Sequence, residues 1–298
     1  MRLTIFSYLL FILLGLQACD EPIKDNQTSG SIKISVDETY KPVMENQLKV
    51  FLGRFPNAKI KVEYKPESDC IQDFFNDTTR VIFITRQFTE DEKKAAYSKE
   101  MEVQSKPMVR DAIAFITSRD FKNPYFKLAD LKQQLQGLNN PKNYQFVFDN
   151  KGSSTVRYVS DSLLKGKKLG ENIFATKSSE EVIDYVSKND DAIGIIGVSW
   201  VANQSDSTTE TFLDKIQVAG VWGDSDSAID YIKPYQAYIG LRDYPCTRNF
   251  YFVSKESWIG LGTGFCNFLC RDGQLIFKQA KLFPLQVQVF LREAQVIQ

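Results

Sequence analysis

The chain of 298 residues balances 37 basic against 37 acidic side chains and contains no histidine. A zero net charge without any basic block leaves no electrostatic footprint for a nucleic acid. The missing histidine removes the commonest general base and the commonest metal ligand together.

The first predicted element is a leader. Met1-Arg2 is a short basic tip, and Leu3 to Leu16 is apolar apart mainly from Thr4, Ser7 and Gly15. That run is too short to span a bilayer and ends on small residues, as a secretory signal does. The sequence Leu16-Gln17-Ala18-Cys19 resembles the lipobox of bacterial lipoproteins. The resemblance implies that residues 1–18 are removed and that Cys19 is acylated as the new N-terminus. The chain would then be lipid-anchored in a bacterial cell envelope, periplasm-facing or surface-exposed. Residues 19–30 are polar and rich in breakers, which predicts a flexible tether.

The body alternates strand and helix patterns. Ser31 to Val36 alternates polar and apolar residues as a strand does. Val43, Met44, Leu48, Phe51 and Leu52 then share one helical face. Further strands are expected at 58–64, 80–84 and 110–117, with helices near 69–76 and from Thr89 through Lys99. Thr89 and Glu92 have capping-box spacing. A second unit follows, with helices at 128–135, 152–164 and 178–186 and strands at 144–148 and 192–197. Apolar segments at 217–222, 234–241 and 249–253 come next, then two terminal helices near 259–270 and 272–281. The order predicts an α/β fold with open sheets flanked by helices.

Beyond Cys19 the cysteines are Cys70, Cys246, Cys266 and Cys270. Cys266 and Cys270 stand at i, i+4, but no second pair completes a metal site. Burial as small apolar residues and a Cys70–Cys246 disulfide both stay open.

In open α/β sheets, ligands gather beyond the carboxyl ends of strands. Three such junctions are polar: Asp37-Glu38-Thr39, Thr85-Arg86, and Gly152-Ser153-Ser154-Thr155 with Arg157 beyond it. Hydroxyls beside helix N-terminal N–H groups suit an anion, and Arg86 or Arg157 offers a planar fork to oxyanion oxygens. Ordinary N-capping explains any one junction by itself.

The motif order resembles phosphate-type substrate-binding lipoproteins of ABC uptake systems, as in Bacteroidetes-like bacteria. Its carriers are Val36-Asp-Glu-Thr, Asn76-Asp-Thr-Thr-Arg-Val-Ile-Phe-Ile-Thr-Arg, Arg110-Asp-Ala-Ile-Ala, Gly152-Ser-Ser-Thr, Ala192-Ile-Gly-Ile-Ile-Gly-Val-Ser-Trp, Tyr244-Pro-Cys-Thr-Arg-Asn-Phe-Tyr and Gly273-Gln-Leu-Ile. The resemblance implies a type II periplasmic-binding-protein-like fold of two lobes joined by hinge strands. One lobe would hold 31–112 plus 228–298, the other 113–227. It also implies a non-enzymatic protein that captures inorganic phosphate or a related oxyanion for ABC permease subunits. The implied ligand-binding residues are Glu38, Thr39, Thr85, Arg86, Ser153, Ser154, Thr155 and Arg157, with no cofactor and no metal.

Three positions depart from the family's pattern. Ser154 replaces the glycine of its Ser-Gly-Thr turn. Thr85-Arg86 stands where many members carry an aspartate, and Asp149 stands where many carry an arginine. A compensated Arg86–Asp149 exchange, a different ligand and lost binding all fit these departures. The other function kept open is a non-transport sensor, scaffold or surface binding module on the same fold.

Overall fold

The computed structural model describes residues 24–76, 79–202, 213–223 and 231–286. The leader and Cys19 lie outside them. Among the described residues no helix is long and apolar enough to cross a membrane.

The first half of the sheet is built on β1 (Gly30–Asp37), which pairs in parallel with β2 (Ala58–Lys65) and β3 (Val81–Ile84). All four side chains of β3 are buried, as expected for a parallel strand covered on both faces. Helices α1 (Lys41–Arg54), α2 (Glu67–Phe75) and α3 (Glu90–Ser98) connect these strands and the next. Thr89 caps α3 through the expected reciprocal pair with Glu92.

Two long antiparallel strands link the halves. β4 (Gln104–Ser118) and β11 (Thr247–Ser254) run together until Ala112, where β4 changes partner. From Ile113 it pairs with β8 (Ala192–Gly197), which continues to β6 (Gln145–Phe148) and β7 (Ile173–Ala175). The strand order is β2-β1-β3-β11-β4-β8-β6-β7. The helices of the second half are α4 (Leu128–Gln134), α5 (Ser154–Arg157, continued by a wider turn over Tyr158–Leu163), α6 (Ser179–Val186) and α7 (Ser199–Ala202). The segments expected at 217–222 and 234–241 form β9 (Ile216–Val218), which pairs with β4, then β10 (Gly220–Trp222), which pairs with β5 (Tyr125–Lys127), and α8 (Gln236–Leu241). The last helices are α9 (Leu261–Leu269) and α10 (Gly273–Gln279). This is the two-lobed α/β architecture expected.

β4 starts six residues before the expected strand. Its polar opening, Gln104-Ser105-Lys106-Pro107, hides it, because proline lacks the donor a ladder needs. A register shift at Phe250/Tyr251 in the partner strand accommodates Pro107.

The expected tether also ends early, since residues 24–30 are bonded to the body. Asp25 accepts from Leu261 N (2.9 Å) and Trp258 Nε1 (3.3 Å) and pairs with Arg80 (2.6 Å). Burial alone would raise the Asp25 pKa, but Arg80 and the Leu261 N–H override it and hold it low. Gly264 permits this docking, because an added Cβ would lie 1.9 Å from the Gln27 carbonyl oxygen.

All four described cysteines are free and buried. Cys70 belongs to a small cluster with Phe74, Ile82 and Phe88, whereas Cys246 lies in the main core. The disulfide alternative therefore does not form.

Phe265 fastens α9 to the sheet, with ring centroids 5.1 Å from Phe51 and 5.8 Å from Phe83. Phe265→Ala should cost about 3–5 kcal/mol in urea unfolding, because the cavity is walled by rigid rings. A loss below about 1 kcal/mol would show that this contact does not hold the first half together.

Candidate functional site

The site is organised by Arg248. Cys246 just before β11, then Arg248 and Phe250 within it, alternate inward, so the strand period carries a guanidinium into the interior. Arg248 is only 7% exposed. Its Nε donates to Asp111 Oδ2 of the facing β4 residue at 2.9 Å, and its Nη1 donates to Ser154 Oγ at 2.9 Å. Tyr40 supports the pair from below, donating its hydroxyl to Asp111 Oδ2 at 2.6 Å and stacking on Phe250. Burial opposes the Arg248 charge, but Tyr40, Asp111 and Asp37 outweigh it and hold its pKa above the usual value. Nη2 has no hydrogen-bond partner among the described residues.

Three other elements pack around the Arg248–Ser154 contact. The turn after β1 brings Thr39, whose Oγ1 lies 3.4 Å from Ser154 Oγ. Thr39 N donates to Asp37 Oδ1 at 3.0 Å, while Asp37 Oδ2 is buried and unpartnered. β8 ends in Gly197, where a Cβ would lie 2.2 Å from Thr39 Cγ2 and 3.3 Å from Arg248 Nη2. Only a residue without a side chain lets the two halves approach so closely. Ser199 closes the corner by donating to the Thr39 carbonyl at 2.8 Å.

The Ser153–Thr155 turn divides its hydroxyls. Ser153 Oγ accepts from Val156 N at 3.2 Å, which is ordinary N-capping. It also lies 2.7 Å from Thr155 Oγ1, which donates to Asp149 Oδ1. Ser153, Thr155 and Asp149 thus brace the turn, and Ser154 is the member that reaches Arg248. Burial raises the Asp149 pKa even against its hydrogen bonds.

Thr85 and Arg157 meet each other through Glu67. Arg157 Nε donates to Glu67 Oε2, and Arg157 Nη2 donates to Thr85 Oγ1 at 2.7 Å. The Thr85 N–H and hydroxyl both donate to Glu67 Oε1 at 2.7 Å. Burial would raise the Glu67 pKa, but Arg157 and Thr85 reverse the shift and keep it low. This trio is a latch between the halves that consumes its own donors. Beside it, Ser68 N meets the Gly152 carbonyl at 3.4 Å. Arg86 turns elsewhere, clasping both Glu92 oxygens at 2.6 and 2.7 Å. No Arg86–Asp149 pair forms.

Of the residues expected from sequence, Thr39 and Ser154 therefore meet at Arg248, with Glu38 next to them. Glu38 reaches across to α6, accepting from Ser179 N at 3.2 Å and Ser179 Oγ at 3.4 Å. Arg248, Asp111, Tyr40, Glu67 and Gly197 were absent from that set. An arginine in phase with inward Cys246 and Phe250 is the signal that marks Arg248. The arrangement can hold a compact anion through one guanidinium edge and two hydroxyls, out of bulk water. Among the described residues no group of three or more acidic or cysteine side chains could hold a metal ion.

The profile of the PBP superfamily domain matches residues 24–272. No curated protein matches the chain. A putative phosphate ABC transporter substrate-binding protein with bound phosphate from Clostridium perfringens superposes with a TM-score of 0.70 at 23% identity, covering 86% of this chain and 100% of its own. An ABC-type phosphate transport receptor from Vibrio cholerae gives 0.63 at 14%, with 86% and 100% covered. The Synechocystis CcmR regulatory domain in complex with 2-PG gives 0.55 at 12%, with 81% and 96% covered. At these identities the likeness is one of fold.

Burial, then Glu67, pushes the Asp37 pKa up to about 7; burial, then Asp149, pushes that of Glu38 up to about 8. The folded chain therefore retains protons that the unfolded chain has released. Stability should fall as pH rises from about 5 to about 8. Thermal melts across that range should show the decline, and Asp37→Asn should flatten it; a flat wild-type profile would contradict the assignment.

Proposed function

The chain belongs to the PBP superfamily, and from that membership we propose that it captures phosphate or a related oxyanion between its lobes for an ABC-type permease. The observation that carries this reading is the buried, unpartnered Nη2 of Arg248, on a guanidinium whose Nη1 already meets Ser154 Oγ, itself 3.4 Å from Thr39 Oγ1. A buried guanidinium with a free edge gains most from a planar or tetrahedral array of oxygens. Asp37, which burial keeps mostly protonated below about pH 7, would offer an oxyanion an O–H rather than a repelling charge. The reading assigns no catalytic step to the site.

Closure would follow from the same contacts. Glu67 with Arg157 and Thr85, Glu38 with Ser179, and Ser68 with Gly152 all bridge segments placed in different lobes. An anion joining Arg248 to Thr39 and Ser154 shifts the equilibrium only by preferring the closed form. The proposed lobe division, 31–112 plus 228–298 against 113–227, is supported by the partner exchange of β4 at Ala112/Ile113. The proposed anchor is lipid on Cys19, which would place the receptor on an envelope membrane.

One observation favours a second reading, a sensor or scaffold. Asp37 and Asp149 share the field of a single arginine, with Glu38 close enough to interact with both, and ionised together the three would repel an anion.

Calorimetry near pH 6 separates the two. Phosphate should give saturable heat, Arg248→Met should weaken binding at least ~100-fold, and Ser154→Ala about 5-fold. Arg86→Ala should leave affinity unchanged, since Glu92 already occupies that fork. No heat with phosphate, sulfate or molybdate would favour the sensor or scaffold.

A further inference from the structure

We propose that the loop carrying Trp258 and Ile259 is a membrane-contacting face, laid on the bilayer that holds the lipid of Cys19. The inference rests on the anchor reading given above. Trp258 is 49% exposed and Ile259 66% exposed, side by side at the entry to α9. Isolated exposed apolar residues are normal. What distinguishes this pair is where the chain's start is tied.

Asp25 touches Trp258 directly, through the indole Nε1 at 3.3 Å. Arg80 locks the arrangement, pairing with Asp25 at 2.6 Å while its guanidinium stands 4.9 Å over the indole ring. The Gln27 carbonyl packed against Gly264 holds the next residues to the same helix. Six Cα-to-Cα steps lead from Cys19 to Asp25, and they reach about 21 Å at most. A lipid on Cys19 therefore keeps Asp25 within that distance of the headgroup layer, and Trp258 about one side chain beyond it.

Tryptophan is suited to that layer, with an apolar ring and one polar N–H. Here Asp25 satisfies the N–H, and the ring edge and Ile259 are free to enter lipid. With the chain held at the bilayer by its lipid, a second contact on the same molecule acts at high effective concentration. The opposite end of β1 carries the site. Gly30 to Asp37 spans about 23 Å of strand, so the Arg248 junction would be held outward from the bilayer.

The test uses the full lipidated chain in vesicles of phosphatidylcholine and phosphatidylglycerol with brominated acyl chains. Bromolipid should quench tryptophan fluorescence in the wild type, and Trp258→Phe should lose most of that quenching while keeping its circular dichroism. Ile259→Ser should transfer to acceptor vesicles about fivefold faster. A chain whose mass confirms lipid on Cys19, yet whose quenching is absent or unchanged in Trp258→Phe, overturns the membrane face alone; such a loop would be free for a protein partner. A chain without lipid on Cys19, and therefore indistinguishable from Cys19→Ser in vesicle binding, overturns the anchor and the face together.

Discussion

A buried guanidinium needs a counter-charge, and the packing of Arg248 on Asp111 meets that need where the two halves of the sheet join. Removing a charge from water costs several kcal/mol unless geometry and hydrogen bonds compensate. Asp111 faces Arg248 across the β4–β11 ladder, and Tyr40 donates to the same carboxylate. One residue later, β4 leaves β11 for β8. The cation is thus mounted on the strands that connect the halves, and its Nη1 already reaches across to Ser154. Any hinge motion of these strands changes the distance between Nη2 and the hydroxyls around it.

This arrangement explains the unusual residues at the junctions. Asp149 stands where the resemblance leads one to expect an arginine before the Ser-Gly-Thr turn. The structure gives Asp149 a different task, bracing Thr155 from beneath. Arg86 is engaged by Glu92 and adds to the capping of α3. The positive charge comes from β11, and Arg157 becomes half of the Glu67 latch. Ser154, in place of glycine, contributes the hydroxyl that accepts from Arg248.

The strands were legible where apolar runs stand alone. Val81–Ile84 and Ala192–Gly197 are short and wholly buried, and turn signals flank them. Helix starts were legible where capping chemistry is explicit, as at Thr89 and Ser178. The beginning of β4 was not, because its exposed polar residues and Pro107 resemble a loop until β11 pairs with them. Site roles were harder still. Thr85 and Arg157 have the composition of anion donors, but a contact distant in sequence, Glu67, spends them, while Ser153 is spent within its own turn. Glu67 is the clearest case: a charged residue early in a helix looks like a solvated first turn, yet it is buried beneath Arg157. Asp25 illustrates the same limit at the start of the body, where breaker-rich residues fold only because Arg80 and α9 receive them.

The most direct measurement is an anomalous difference map from crystals grown with arsenate, a phosphate analogue whose arsenic can be located unambiguously. One peak within hydrogen-bonding reach of Arg248 Nη2, shared with Thr39 and Ser154, is the predicted result. A peak elsewhere, or none at saturating arsenate, would contradict the claim that this buried cation is the seat of the ligand.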